Sequence, residues 1–300
     1  VAKAWVDSGW GMYGLPEEHG GKPVDHQTMA MIIEELNHAG GNIPMAPNLL
    51  IMFDVCEFGT PEQIKFAMDY YKENGYPPYC LAISEPEAGS DNQGMECLAT
   101  RTGDGKVHIN GVKTWVTQGE HVDGFIVVCK DEDPSRENKN MSMYLVPANA
   151  PGVTIEPLNK IGMQIMPFAM IHFDDVVIDE TDLLGIQGKG FYQLMKNFEW
   201  ERCVLLAELL GEAQAAMEDA CAWTNERMQF GKGIKTYQLV QEHIVEMQIE
   251  LSNTRNFLYR TCWKMDNGIP VNNDAAMLKR YGAPALTDCC SRALQLMGGL

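Results

Sequence analysis

Tyr237, Val240, Ile244, Met247, Leu251, Thr254 and Leu258 advance by threes and fours across residues 237–258. Only an α-helix carries positions with that spacing on one side. A stripe this long needs other helices to cover it, so the C-terminal part of the chain is expected to be a helical bundle. The helical period already holds after Asp182, where Val204, Leu205, Leu206, Leu209 and Leu210 follow two acids and an arginine in Phe198-Glu-Trp-Glu-Arg202. Asn272-Asn-Asp274 suits the cap of a further helix, and Pro284 is expected to bend it.

The start of the chain shows the same period. Met29, Met31, Ile32, Ile33 and Leu36 form a stripe within 27–37, and Thr60-Pro61-Glu62 supplies an N-cap, a first-turn proline and an early acid for a helix over 63–74. From Tyr79 the texture changes. Seven β-rich runs, at 80–84, 107–110, 114–117, 125–129, 142–146, 153–157 and 170–177, are punctuated by Thr102-Gly-Asp-Gly105, Asn110-Gly111 and Ala150-Pro-Gly152. The fold class predicted is α+β and multidomain: an N-terminal helical domain (1–78), a middle antiparallel β-barrel or sandwich (79–182) and a C-terminal four-helix bundle (183–300). Val1 in place of Met, and Gly298-Gly299 beside the last residue, suggest a piece of a longer chain with both outer domains partial and the bundle truncated.

A net charge of -18 opposes a nucleic-acid groove and docking on an anionic membrane. No apolar run is long enough to span a bilayer. The nine cysteines include no Cys-x-x-Cys, and adjacent Cys289-Cys290 cannot chelate a metal alone, so packing thiols in a reducing compartment are expected. The seven histidines form no His-x-x-x-His, and no metal site is expected.

Two loops carry concentrated polar chemistry. Ile83-Ser-Glu-Pro-Glu-Ala-Gly-Ser-Asp91 leaves a strand for a turn with hydroxyls at Ser84 and Ser90. By itself it is a turn; equally, its hydroxyls and amides suit a flat polar ligand. Lys113-Thr-Trp-Val-Thr-Gln-Gly119 adds an indole that could cover a ring, although a strand Trp more often belongs to the core. Arg227-Met-Gln-Phe-Gly231, with Gln238 after it, is expected to end one helix and start the next, where the guanidinium serves either the helix dipole or a phosphate. Gln295-Leu-Met-Gly-Gly299 offers an amide and two glycines that permit close backbone approach. No Gly-x-Gly-x-x-Gly follows a strand, so a dinucleotide would not be held in the Rossmann manner.

In this order the motifs resemble the acyl-CoA dehydrogenase flavoproteins. The likeness runs from Leu15-Pro-Glu-Glu-His-Gly-Gly21 through the two loops, Phe173-Asp-Asp-Val-Val177 and Arg-x-x-Phe-Gly to Gln-x-x-Gly-Gly, almost the whole chain. It implies FAD as cofactor. Ile83, Ser84, Gly89 and Ser90 match the first flavin loop, and Trp115, Val116 and Thr117 the second. Arg227, Phe230, Gln238, Gln295 and Gly299 match positions that reach FAD from a neighbouring subunit, which implies a homotetramer built as a dimer of dimers. Glu87 departs from the usual Gly and Ser84 from the frequent Thr, the first putting the loop geometry in question.

The resemblance also implies the reaction. A carboxylate removes the proton α to a thioester carbonyl while the β-hydride passes to flavin, in an acyl-CoA dehydrogenase or, in reverse, an enoyl-CoA reductase. The base must have a raised pKa in a dry setting. Most members place it after the Gln-x-x-Gly-Gly turn, beyond residue 300. A minority, the isovaleryl- and long-chain-type enzymes, place a Glu directly before the bundle arginine, which Glu201-Arg202 matches. An acid paired in a first helical turn is the plain alternative for Glu201. Ser90, Glu199 and Arg202 would then contact the CoA substrate, Glu199 replacing the commoner Asp. Cys262-Trp-Lys-Met-Asp-Asn-Gly268 and Phe230-Gly-Lys-Gly-Ile234 are similar to the crotonobetainyl-CoA reductase branch, placing the chain in fatty acid or carnitine metabolism. Expected partners are an acyl-CoA or enoyl-CoA and an electron-transfer flavoprotein, in the cytoplasm or the mitochondrial matrix. An acyl-CoA oxidase and a non-catalytic binding scaffold are the alternatives.

Overall fold

The computed structural model describes residues 2–41, 45–132 and 140–300, with backbone alone for 45–47. Helices α1 (Ala2–Asp7), α2 (His26–His38), α3 (Met45–Phe58) and α4 (Pro61–Asn74) precede strands β1 (Tyr79–Ala82), β2 (Leu98–Arg101), β3 (Lys106–Thr117) and β4 (Gly124–Asp131). Strands β5 (Met141–Pro147), β6 (Val153–Leu158), β7 (Phe168–Asp179) and β8 (Leu183–Leu184) follow, then helix α5 (Gly190–Glu226). A ribbon of β9 (Met228–Gln229) and β10 (Lys232–Gly233) leads to α6 (Gln238–Asp266) and α7 (Asn272–Met297). Contacts divide the chain into two compact units, Val1–Lys22 with Pro47–Asn197, and Pro23–Ala46 with Phe198–Leu300.

In the first unit the expected cap of α4 is a full capping box. Thr60 accepts from the Gln63 amide at 3.3 Å while the Gln63 side chain accepts from the Thr60 amide at 2.9 Å. The Gln63 side-chain amide also donates to the carbonyls of Thr181 and Leu183, which ties α4 to the end of the sheet. The sheet has eight strands in the order β6-β7-β3-β2-β4-β5-β8, with β1 beside β4. Most pairings are antiparallel, but β1 and β2 both run parallel to β4. Among the described residues the sheet does not close, so of the barrel or sandwich expected the closed barrel is not formed. The sheet's outer strands β6 and β8 are not paired with each other, and β8 is only two residues long. Val107, Ile109, Val116, Phe125, Val127, Tyr144, Ile171 and Phe173 are among the residues of one buried cluster.

Asn110-Gly111, expected as a turn, lies inside β3 and joins two runs that the sequence reading separated. Gly111 has φ +148°, and a Cβ there would sit 2.6 Å from the Cys97 Cα. The pairing of β3 with β7 shifts register at this point, so the glycine marks a bulge and not a reversal. Strand β2 escaped the sequence reading because Leu98-Ala-Thr-Arg101 is short and lacks clear alternation.

In the second unit α2 groups with α6, α7 and the part of α5 from Phe198 onward. Buried Glu34 on α2 receives the Arg255 guanidinium at 2.7 and 2.8 Å and the Tyr259 hydroxyl, and Arg255 also donates to the Gln214 side-chain oxygen Oε1 at 3.1 Å. The Asp266 carboxylate accepts from the amides of His26 and Gln27 at 2.7 and 3.2 Å, capping α2 from the end of α6. Helix α7 begins at Asn272 without a side-chain cap, so the expected role of Asn272-Asn-Asp274 is not realised. Asp274 instead accepts from Lys264 at 2.7 Å, because it is buried beside α6. Pro284 lies within α7 without ending it. Between α5 and α6 the short ribbon replaces the expected direct helix-to-helix turn.

Gly211 is where α5 meets the α2 backbone: a Cβ would lie 2.2 Å from the Glu34 carbonyl oxygen. Alanine would gain about 1 kcal/mol of helix propensity, yet the opposing atom is backbone and cannot swing aside. Gly211→Ala is therefore expected to destabilise the protein by about 1–2 kcal/mol net, read as a lower denaturation midpoint in urea.

Candidate functional site

In the first unit the two polar loops are joined. The Thr114 amide donates to the Ser84 carbonyl at 2.8 Å. The Lys113 ammonium donates to the Ile83 carbonyl at 2.9 Å and to Glu85 at 2.6 Å. Glu85 in turn accepts from the amides of Glu96 and Cys97, at 2.5 and 3.0 Å. This brings Ile83 and Ser84 next to the Trp115–Thr117 segment. Across the loop tip Glu85 and Ala88 exchange backbone hydrogen bonds, which makes Pro86 and Glu87 the centre of a β-turn. Glu87 is not among the left-handed residues, so the turn accepts a side chain where a type II turn would ask for glycine. The departure at Glu87 therefore leaves the loop geometry unstrained.

Trp115 is not a core residue. It is 62% exposed and holds φ +58°, a left-handed conformation that a bulky side chain adopts at a cost of about 1–2 kcal/mol. Its neighbour Val116 is buried, so the backbone twist turns the indole outward while the valine anchors the strand. The hydroxyls of Ser84, Ser90 and Thr117 have no protein partner among the described residues, and Gly89 and Ser90 lie exposed on the loop. An outward indole beside free hydroxyls fits a flat ring with polar edges, as expected for the isoalloxazine of FAD.

In the second unit Glu199, Glu201 and Arg202 are all half-buried on α5. The helix starts at Gly190, so Glu201 sits about three turns inside it. That removes the first-turn dipole explanation for its charge. Burial pushes the Glu201 carboxyl above the ordinary glutamate value, and the positive charges of Lys279 and Arg202 partly offset the rise. Its carboxylate has no hydrogen bond or close ion pair among the described residues. Lys279, on α7, was not picked out by the sequence reading, since nothing in its neighbourhood marks which carboxylate it faces. Lys113 and Glu85 were also passed over, although both lie inside quoted motifs; a charged residue in each of two adjoining loops was the available clue.

Arg227, Phe230, Gln238, Gln295 and Gly299 gather at one end of the helices. The ribbon carries Phe230 at its tip, 93% exposed with φ +50°. Helices α6 and α7 bring Gln238 and Gln295 to this same end, as the 3.2 Å contact of Arg292 with His243 shows. The Cys262–Gly268 segment does structural work: Asp266 caps α2, and the Asn267 amide returns to the Trp263 and Lys264 carbonyls as α6 ends.

The acyl-CoA dehydrogenase N-terminal, middle and C-terminal domain families match residues 1–68, 80–176 and 188–300. The probable acyl-CoA dehydrogenase YdiO of Escherichia coli (strain K12) is 35% identical over 298 residues, covering 99% of this chain and 78% of YdiO. Among solved structures, butyryl-CoA dehydrogenase from Megasphaera elsdenii superposes with a TM-score of 0.90 at 28% identity, over 99% of this chain and 79% of that one. The FAD complex of PigA gives a TM-score of 0.91 at 25% identity, over 100% and 80%. Three domain matches in order, a relative at this identity and one shared fold assign the chain: it belongs to the acyl-CoA dehydrogenase family.

Proposed function

We propose that the protein is an FAD-dependent acyl-CoA dehydrogenase, or in reverse an enoyl-CoA reductase, of fatty acid or carnitine metabolism. Glu201 is its base. The observation that carries this reading is a half-buried carboxylate in mid-helix that has no hydrogen-bond partner and a pKa raised by burial. A structural carboxylate would be paired, because leaving one desolvated and unmatched is unfavourable. A base that must meet a weakly acidic carbon proton gains from that same environment.

Ile83, Ser84, Gly89, Ser90, Trp115, Val116 and Thr117 would hold the flavin, the exposed indole offering a flat apolar surface and the hydroxyls and amides offering polar partners. Bound FAD supplies the two-electron acceptor for the β-hydride. Glu201 accepts the α-proton at its carboxylate, while the positive charges of Lys279 and Arg202 favour its ionised form against the desolvation that opposes it. Ser90, Glu199 and Arg202 orient the CoA thioester. An electron-transfer flavoprotein would be the partner that reoxidises the bound cofactor. Nine free thiols favour a reducing setting, which we take to be the cytoplasm or the mitochondrial matrix.

The length of α5 supports an oligomer. From Glu201 to the helix end at Glu226 the axis runs about 38 Å. Arg227 and Phe230, at the far end, are thus remote from the Glu201 of their own chain. An exposed, left-handed aromatic at a ribbon tip suits insertion into another molecule. We take Arg227, Phe230, Gln238, Gln295 and Gly299 to complete the FAD site of a neighbouring copy, in a homotetramer that is a dimer of dimers.

Glu201→Gln is expected to retain bound flavin, seen in its visible spectrum, while turnover of acyl-CoA falls by about 10²–10⁴-fold; near-normal turnover would remove Glu201 as the base. Dehydrogenation needs the carboxylate, so kcat/KM is expected to rise with pH through a Glu201 pKa that lies above the ordinary value. Lys279→Met removes a charge that favours ionisation, and should move this acid limb to higher pH. Neither Glu201→Gln nor Arg227→Ala should be active alone. Oligomers reassembled from a mixture of the two are expected to recover activity, since some sites then receive both native residues; failure of mixing to restore any would mean that each site takes both residues from one subunit.

A further inference from the structure

We propose that the buried Lys113–Glu85 pair is a positioning element for the cofactor, holding the two flavin-facing loops at a fixed separation. This rests on the FAD reading above. The Lys113 side chain is 0% exposed and that of Glu85 6% exposed, a degree of burial that lysine and glutamate tolerate only when paired. The pair reaches beyond itself to three backbone groups. Lys113 donates to the Ile83 carbonyl, one residue before Ser84, and Glu85 accepts from the Glu96 and Cys97 amides, where the same loop returns to the sheet. The loop is thereby closed at its base and fastened to β3 two residues before Trp115.

Why this fastening is needed follows from the strand. The β3–β7 register shifts between Lys113 and Val116, so the regular ladder gives way just where the backbone turns left-handed to expose the indole. The Thr114 amide is held by the Ser84 carbonyl, and the Gln118 amide by the Pro167 carbonyl at 2.7 Å. An apolar pair of equal volume could fill the space, and is often as stable as a buried ion pair. It would leave the Ile83 carbonyl without its donor and the two amides without their acceptor. The charged pair thus fixes the orientation of Ser84 against the Trp115–Thr117 segment, a requirement for recognising a rigid ring.

The test is made on the full chain, with FAD as the probe. Lys113→Met alone would bury an unpaired carboxylate, so the informative variant is Glu85→Gln with Lys113→Met, which removes both charges and retains one side-chain oxygen, enough to accept from one of the Glu96 and Cys97 amides. FAD affinity is measured by titrating the apoprotein and following flavin fluorescence, with the fold monitored by circular dichroism and the apoprotein melting midpoint. The double variant is expected to keep its fold and bind FAD about tenfold more weakly, the scale on which outer-shell partners act at bound metals. Glu85→Gln with Lys113→Gln, which also removes both charges and keeps a donor for the Ile83 carbonyl, serves if the first double variant is poorly folded, and should weaken FAD in the same direction. Wild-type FAD affinity in either folded variant would overturn the positioning role and leave the pair as packing. A wild-type protein that takes up no FAD would instead overturn the functional reading on which this rests.

Discussion

A lysine ammonium cut off from water must find a carboxylate, and in this protein Lys113 finds Glu85. That single requirement organises the first unit around one corner of the sheet. The carboxylate also satisfies two loop amides, and the ammonium a carbonyl of the neighbouring loop, so the chain from Ile83 to Cys97 is pinned at both ends. Most of the remaining sheet core is apolar and non-directional, apart from buried Asp131, which accepts from the Ser142 and Tyr144 hydroxyls, and that apolar part would tolerate repacking. The ion pair would not, because breaking a buried pair by losing one partner costs about 3–5 kcal/mol.

Backbone strain falls where a ligand would use it. Five described residues other than glycine have positive φ, and the two aromatic ones are Trp115 and Phe230. Both are exposed, one beside the loop hydroxyls and the other at the ribbon tip. A conformation that costs about 1–2 kcal/mol and exposes an apolar ring adds nothing to the stability of an isolated chain. Each becomes understandable if the ring is covered in the working protein, as we propose for Trp115 by a flavin and for Phe230 by a neighbouring copy.

In the second unit the helices set the electrostatics of the carboxylate. Gly211 lets α2 lie against α5, and the Glu34–Arg255–Tyr259 cluster locks that approach. With its sides covered, α5 carries Glu201 into a half-buried position where desolvation raises its pKa. Lys279 and Arg202 supply positive charge without a direct contact, which moderates the rise while leaving the oxygens free. Raised basicity and an unoccupied lone pair are the two properties that proton abstraction from carbon requires.

The order of helical, β and helical segments was legible from periodicity, as was the capping box at Thr60, because both depend on neighbours within a few residues. The loop motifs were legible as motifs, and the family with them. Distant backbone contacts were not. Asn110-Gly111 has the composition of a turn, yet the approach of Cys97 makes it a bulge within one long strand. Asn272–Asp274 has the composition of a cap, yet Lys264 draws Asp274 inward. By itself the sequence determined which segments are helical or extended and which loops concentrate hydroxyls and glycines, since those follow from local spacing and side-chain chemistry. Only the tertiary structure decided that Lys113 and Glu85 meet, that Trp115 turns outward, and that Glu201 lies deep in a helix beside Lys279, because burial and pairing are set by atoms that lie far apart along the chain.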